Sequence, residues 1–325
     1  MNLAILVLFA GIAGSEPAPP GPEARLNARC SSVGEGRKAL SARDGFIAAL
    51  SPFDRAARLK SEREVGEKEF LAFVADQVRP WSEAEKARVE AAFAAIERRA
   101  SAFHLGLPDP ILVVKTTGAE EGDAAYTRGE AVVLPQSKAD LEAKAMEKLL
   151  AHEIFHILSR RRPELRKKLY PLVGFEPCTP VELPAELKPR KITNPDAPLF
   201  DARIELDIEG TKLQAAPVLF SRRARYDAKA GGEFFRYLTF RLLVIEPRGR
   251  GWAAAKMEGK PRLLEPEKFP GYSAKTGRNT GYIIHPEEIL ADNFVLLLEG
   301  REDVPSPEIL VGMAKVFSQA GAGAK

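Results

Sequence analysis

The chain has 325 residues, 45% of them hydrophobic and 29% charged, with 25 Gly and 25 Pro, a balance that excludes a disordered tail protein, a collagen-like repeat and a polytopic membrane protein. Its 48 basic and 45 acidic residues leave a net charge of +3, too small an excess to argue for a nucleic-acid or membrane partner. Two cysteines, Cys30 and Cys178, are too few for a disulfide scaffold.

At the N-terminus, Leu3 to Gly14 is an unbroken apolar and small-residue run, too short for a mature transmembrane helix and suited to the apolar region of a secretory signal. Gly11 and Ala13 supply small residues before a cut near Gly14, although the region before the run lacks a basic side chain. The expectation is a signal peptide over 1–14, a Pro-, Gly- and Ser-rich flexible leader over 15–36, and an exported mature chain, periplasmic or secreted. Export would permit a Cys30–Cys178 disulfide, and two unpaired thiols are the alternative.

Helical spacing then begins with Phe46, Ile47, Leu50 and Phe53 and resumes with Phe70, Leu71, Phe73 and Val74. Ser82 with Glu85 forms a capping box that opens a charged helix carrying Val89, Phe93 and Ile96. Ile111 to Val114 reads as a strand, and 124–134 holds a second. A long helix follows from Ser137 or Asp140 to about Ser159, trailed by a basic run from Arg160 to Lys168 that reads as a solvated helix end. Residues 171–200 are Pro-rich and irregular, Ala202–Ile208 and Phe234–Ile245 read as strands, and 247–281 as loops. A helix begins at Pro286, and a last one is capped by Ser306 and ends near Gly321.

The chemistry concentrates in the long helix, where His152-Glu153-Ile154-Phe155-His156 is an HExxH motif. Histidines four apart share one helical face, so both imidazoles can reach one metal ion, and Glu153 can take a proton from water beside it. A catalytic zinc site needs a third protein ligand and an open fourth position. In the helix from Pro286, Glu288 and Asp292 also lie one turn apart. Glu288 is the expected third ligand, with Glu287, His285 or Asp292 as substitutes. Asp292 is expected to accept the free ring N–H of a metal-bound histidine. Glu287 reads as a helix-start charge. Tyr282 and His285, just upstream, are the candidate donors to a tetrahedral oxyanion. His104 reads as a helix-end residue.

The pair His152–His156 and Glu288-Ile-Leu-Ala-Asp292 resembles the gluzincin branch of the zincin metallopeptidases, which joins HExxH to a downstream Glu-x-x-x-Asp helix. The Glu-x-x-Ala-Asp form is also similar to that of the prenyl-protein endopeptidases. The resemblance covers about 111–160 and 280–300, and a gap of 132 residues between His156 and Glu288 departs from it. It implies an α+β, zincin-like fold over 37–325: mostly helical, with a small mixed sheet, an active-site helix and a strand- and loop-rich insertion at about 171–281. It implies His152, His156 and Glu288 on one catalytic zinc ion, Glu153 as general base and Asp292 behind the ligands. It also implies that residues 124–134 form an edge strand that takes an extended peptide by strand addition. The expected function is an exported zinc metallopeptidase acting on peptide or protein substrates, with no nucleic-acid partner and no stable membrane insertion after signal removal. The alternatives are a secreted zinc-binding module without turnover and a zinc amidase acting on cell-wall peptides.

Overall fold

The computed structural model describes residues 26–103 and 105–322, so the signal region and His104 lie outside the described residues. The first segment forms a helical lobe: α1 (Val33–Leu40), α2 (Gly45–Ala49), α3 (Pro52–Arg58) and α4 (Glu67–Asp76). The Phe46–Phe53 spacing is split between α2 and α3 because Ser51, followed by Pro52, starts a new helix with its own capping box to Asp54. The longer α5 (Glu83–Ala100) opens on the Ser82/Glu85 box as its sequence predicts.

Beside these helices lies a mixed four-stranded sheet of β1 (Ala28–Cys30), β2 (Ile111–Thr116), β3 (Tyr126–Arg128) and β4 (Ala131–Pro135), in the order β1-β2-β4-β3. β1, β2 and β4 run parallel, and β3 turns back antiparallel on β4. Both faces of the sheet are covered, so β2 and β4 read as continuous apolar runs rather than alternating ones. Val113 and Val132 belong to the main core with α5, whereas Val114 and Val133 pack with Phe46, Phe70 and Val74 of the helical lobe. Helix α1 comes so close that a Cβ on Gly36 would stand 2.8 Å from Val78 and 2.9 Å from Val114.

The flexible leader expected over 15–36 is contradicted for residues 28–36, and 15–25 lie outside the described residues. Residues 28–30 pair with β2, and Ser32 with Glu35 caps α1. Hydrogen bonding to a strand some 80 residues away carries no local signal, which is why a Pro- and Gly-weighted reading overran it.

The HExxH segment lies in α6 (Ala143–Arg161), whose second half is enclosed: nearly every residue from Leu150 to Ser159 is buried. After α7 (Pro163–Leu169) the chain enters an antiparallel sheet of β5 (Phe175–Pro177), β6 (Ala202–Ile208), β7 (Thr211–Ser221), β8 (Leu238–Arg248), β9 (Gly251–Ala254) and β12 (Leu263–Leu264), with a small ribbon of β10 (Lys256–Met257) and β11 (Lys260–Pro261). Strand β7 has no counterpart among the expected elements. Pro217 lies beyond the β6 ladder, which ends at Ala215, so here β7 pairs only with β8 among the named strands. Helix α8 (Pro270–Thr276) likewise replaces an expected loop. The chain closes with α9 (Pro286–Leu298) and α10 (Pro307–Ala322). Ile204, Leu206, Ala215 and Leu242 of the antiparallel sheet join the same core as α5, α6, α9 and α10, so this region is packed into the fold rather than appended.

Both cysteines are free thiols. Cys30 packs against the main core from the first sheet, and Cys178 against the outer face of the second, which rules out the conjectured disulfide in this structure. The Arg160–Lys168 run is not simply solvated. Arg160 donates to Gly129 O and Thr127 Oγ1, and Arg166 meets Glu287 at 3.0 Å.

Candidate metal centre

Helix α6 presents His152 and His156 one turn apart, their rings 4.8 Å between centroids. Helix α9 packs against α6 and brings Glu288 to them. Glu288 Oε2 lies 3.2 Å from His152 Nε2 and 3.7 Å from His156 Nε2. The ligand atoms of these three residues fall within 4.8 Å of one another. One turn further along α9, Asp292 Oδ1 is 3.0 Å from His152 Nδ1, and its other oxygen accepts from Thr280 Oγ1. The 132-residue gap is thus closed by the antiparallel sheet folding back, and Glu288 is the carboxylate that meets both imidazoles.

Glu287 has a larger part than a helix-start charge. It is buried, and its Oε1 accepts from Ser159 Oγ and Tyr170 OH, both at 2.6 Å. Its Oε2 stands 3.7 Å from His156 Nδ1, an ion-pair contact rather than a hydrogen bond. Each imidazole therefore has a carboxylate at its Nδ1 side, the arrangement that orients metal-bound histidines. The residues that hold Glu287 sit on α6 and the segment after it, 117 to 128 positions away, so sequence spacing could not reveal them.

The electrostatics favour a cation. Burial opposes charge on His152, but hydrogen bonds to Asp292 and Glu288 outweigh it and raise its pKa well above the ordinary value. Burial also opposes ionisation of Glu288, yet the charges of His156 and His152 and the hydrogen bonds from His152 and Asn194 bring it down to about 2. Burial pushes Glu153 up to about 8, and the neighbouring Asp196 adds to the rise while the two histidines reduce it. Among the described residues, His156 Nδ1 and Nε2 and Glu153 Oε2 are buried without a hydrogen-bond partner. Such orphaned atoms are costly in a folded protein and call for a ligand. Two imidazole nitrogens, one carboxylate and their outer carboxylates fit a divalent ion of borderline softness.

The centre opens into a cleft of about 680 Å³. His152, Glu153 and Asp292 line it, with Ile192, Phe234 and Leu238 on the side of the antiparallel sheet. Tyr282 also lines it and is 43% exposed. Its partial burial and the charges of Glu288, Asp196 and Glu153 raise its pKa, so the phenol stays protonated and can donate. His285 is elsewhere. It is the buried N-cap of α9, its Nδ1 accepts from Glu287 N at 3.2 Å, and it lines a separate cavity of about 200 Å³. His285 is not among the residues that line the cleft, and its Nδ1 is taken up by the helix cap, so the structure does not bring it to the centre with His152, His156 and Glu288.

Two cleft residues were missed in the sequence. Asn194 Nδ2 donates to Glu288 Oε1 at 2.5 Å. Asp196 comes within 4.8 Å of Glu153 and His156 through its carboxylate. Both sit in the Pro-rich irregular run, where no pattern marks them. Asp196 also bears on 124–134, where the expected edge strand is present as β3. That segment is a hairpin whose outer strand is β3, and the N–H and hydroxyl of Thr127 already donate to Asp196 Oδ1 at 2.8 and 2.5 Å. The edge is covered at Thr127, and Ala124 and Ala125 form part of the cleft wall.

A family model described as the eCIS core domain matches residues 114–164. No curated protein and no solved structure matches the chain. The eCIS core domain is metallopeptidase-like and is found in extracellular contractile injection systems. The match takes in the end of β2, the β3–β4 hairpin and α6 with His152, Glu153 and His156, and it stops well before Glu288, so it covers a short stretch within a larger fold.

Proposed function

We propose that the protein is an exported zinc-dependent metallopeptidase of zincin type that hydrolyses peptide bonds. The observation that carries this is the convergence of His152 Nε2, His156 Nε2 and Glu288 Oε2 beside an unpartnered, buried Glu153 carboxylate. The metallopeptidase-like match over 114–164 and the apolar run Leu3–Gly14 add support.

Zinc, when bound, supplies a Lewis acid for the scissile carbonyl and lowers the pKa of water. The remaining work belongs to this chain. His152, His156 and Glu288 would hold the ion, while Asp292 and Glu287 keep the two imidazoles oriented. Glu153, in its ionised form and with one carboxylate oxygen buried and unpartnered, accepts a proton from water in the cleft and passes it to the departing amine. Tyr282, held protonated at the cleft, donates a hydrogen bond to the oxygen that gains charge. The apolar wall of Ile192, Phe234 and Leu238 excludes water from the substrate.

The test is metal analysis together with proteolysis. The full chain should hold one zinc through three protein ligands. Glu153→Gln keeps size and is not a ligand, so zinc content stays at the wild-type level while hydrolysis of an unstructured protein falls by ~10²-fold or more. Equal cleavage by Glu153→Gln and wild type would refute the mechanism.

A further inference from the structure

Asn194 stands on a strap, residues 191–196, whose residues from Ile192 to Asp196 line the cleft. On one side the strap joins the antiparallel sheet: Lys191 bridges to Phe220, and Ile192 N donates to Leu219 O at 3.0 Å. On the other side it is gripped by α3. Ser51 Oγ donates to Lys191 O at 2.6 Å, and Thr193 N and Oγ1 donate to the two carboxylate oxygens of Asp54 at 2.9 and 2.7 Å. Arg58 Nη2 donates to Thr193 O at 2.9 Å.

Asp54 and Arg58 are almost completely buried, and Arg58 is completed by Glu121, with Nε to Oε2 at 2.7 Å. Buried ion clusters of this kind are a poor source of stability, because desolvation offsets most of their attraction. Their value is geometric, and here both Asp54 and Arg58 bond directly to Thr193. The next residue is Asn194. Its Oδ1 accepts from Asp196 N at 2.9 Å, which fixes the side chain, and its Nδ2 holds Glu288 Oε1 at 2.5 Å.

We infer, resting on the metal-centre reading above, that Asn194 is a positioning residue for the third ligand. With Oε1 engaged, Glu288 presents Oε2 to the two imidazoles. The terminal torsion of a glutamate is otherwise broad, so a free carboxylate would sample many orientations. The Asp54–Arg58–Glu121 cluster in turn sets where Asn194 stands. The helical lobe thereby reaches the metal centre through one backbone segment.

The test is zinc affinity of the full chain, stripped of metal and titrated against a chromophoric chelator. Asn194→Leu keeps the size and removes the donor. Zinc affinity should fall ~10- to 100-fold, the usual loss for an outer partner of a ligand, in a metal-free chain that still unfolds cooperatively. Asn194→Gln retains an amide donor and should recover part of the loss. Thr193→Val removes a bond to Asp54 without touching the centre and should weaken zinc in the same direction by less. Wild-type affinity in Asn194→Leu overturns the inference, as does a loss confined to the stability of the metal-free chain. A wild-type chain that takes up no zinc overturns the metal-centre reading itself, and the two failures are told apart by that control.

Discussion

At the scale of single residues, the carboxylates around His152 and His156 divide their tasks by position. Glu288 faces both Nε2 atoms, whereas Asp292 and Glu287 stand at the Nδ1 atoms. The division predicts distinct mutant behaviour. Asp292→Asn should leave the donor set intact yet lose ~10-fold or more in zinc affinity, because the amide no longer dictates the tautomer of His152. Glu288→Gln should remove a ligand and lose zinc and activity together. The thiols make a second residue-scale case. Burial pushes Cys30 up to about 12 and Cys178 up to about 11, far above neutral pH. Both should therefore react slowly with an alkylating reagent in the native chain at pH 7 and rapidly once unfolded, since the thiolate is the nucleophile. Fast native alkylation, read by mass spectrometry, would contradict the burial described.

At the scale of elements, Glu85 links a helix start to a strand. It completes the capping box of α5 with Ser82, and it also meets the Lys115 ammonium of β2 at 2.7 Å. Burial opposes the charge, but the bonds from Lys115 and Ser82 prevail and lower its pKa below the ordinary 4.5. A carboxylate lowered in the folded state adds stability above the unfolded pKa and loses it as pH falls through the folded one. The urea midpoint of wild type should then drop on acidification through that window, and Glu85→Gln should show a shallower drop. Ser82→Ala should cost ~1 kcal/mol, the usual worth of an N-cap. Glu85→Gln should cost more at neutral pH because it leaves the buried Lys115 ammonium without its carboxylate.

For the whole molecule, the candidate metal centre lies where three regions meet: α6, the α9 helix, and the strap between the antiparallel sheet and the helical lobe. A ligand that binds only the folded state stabilises it by RT ln(1 + [L]/Kd), ~2.7 kcal/mol at a hundredfold excess over Kd. Zinc should accordingly raise the melting temperature of the stripped chain, and EDTA should reverse the rise; an unchanged midpoint would count against a centre built across the fold. Export is tested at the same scale. Bacterial expression should yield a periplasmic chain shortened by about fourteen residues, and N-terminal sequencing that finds Met1 on cytoplasmic protein would remove the signal reading.

The sequence by itself determined what is local. The HExxH spacing, the Glu288–Asp292 spacing, the Ser82 cap and the Pro-led starts of α9 and α10 all depend on neighbours within one or two turns. Such pairs are legible because a helix converts a spacing of four into a shared face. The tertiary structure alone decided what lies far apart in the chain. It joined β1 to β2, placed Pro217 past the end of the β6 ladder, turned His285 into a cap, and set Asn194 and Asp196 beside residues 40 to 94 positions away. Hydrogen bonds of that reach depend on the path of the backbone through space, and no spacing along the chain records it.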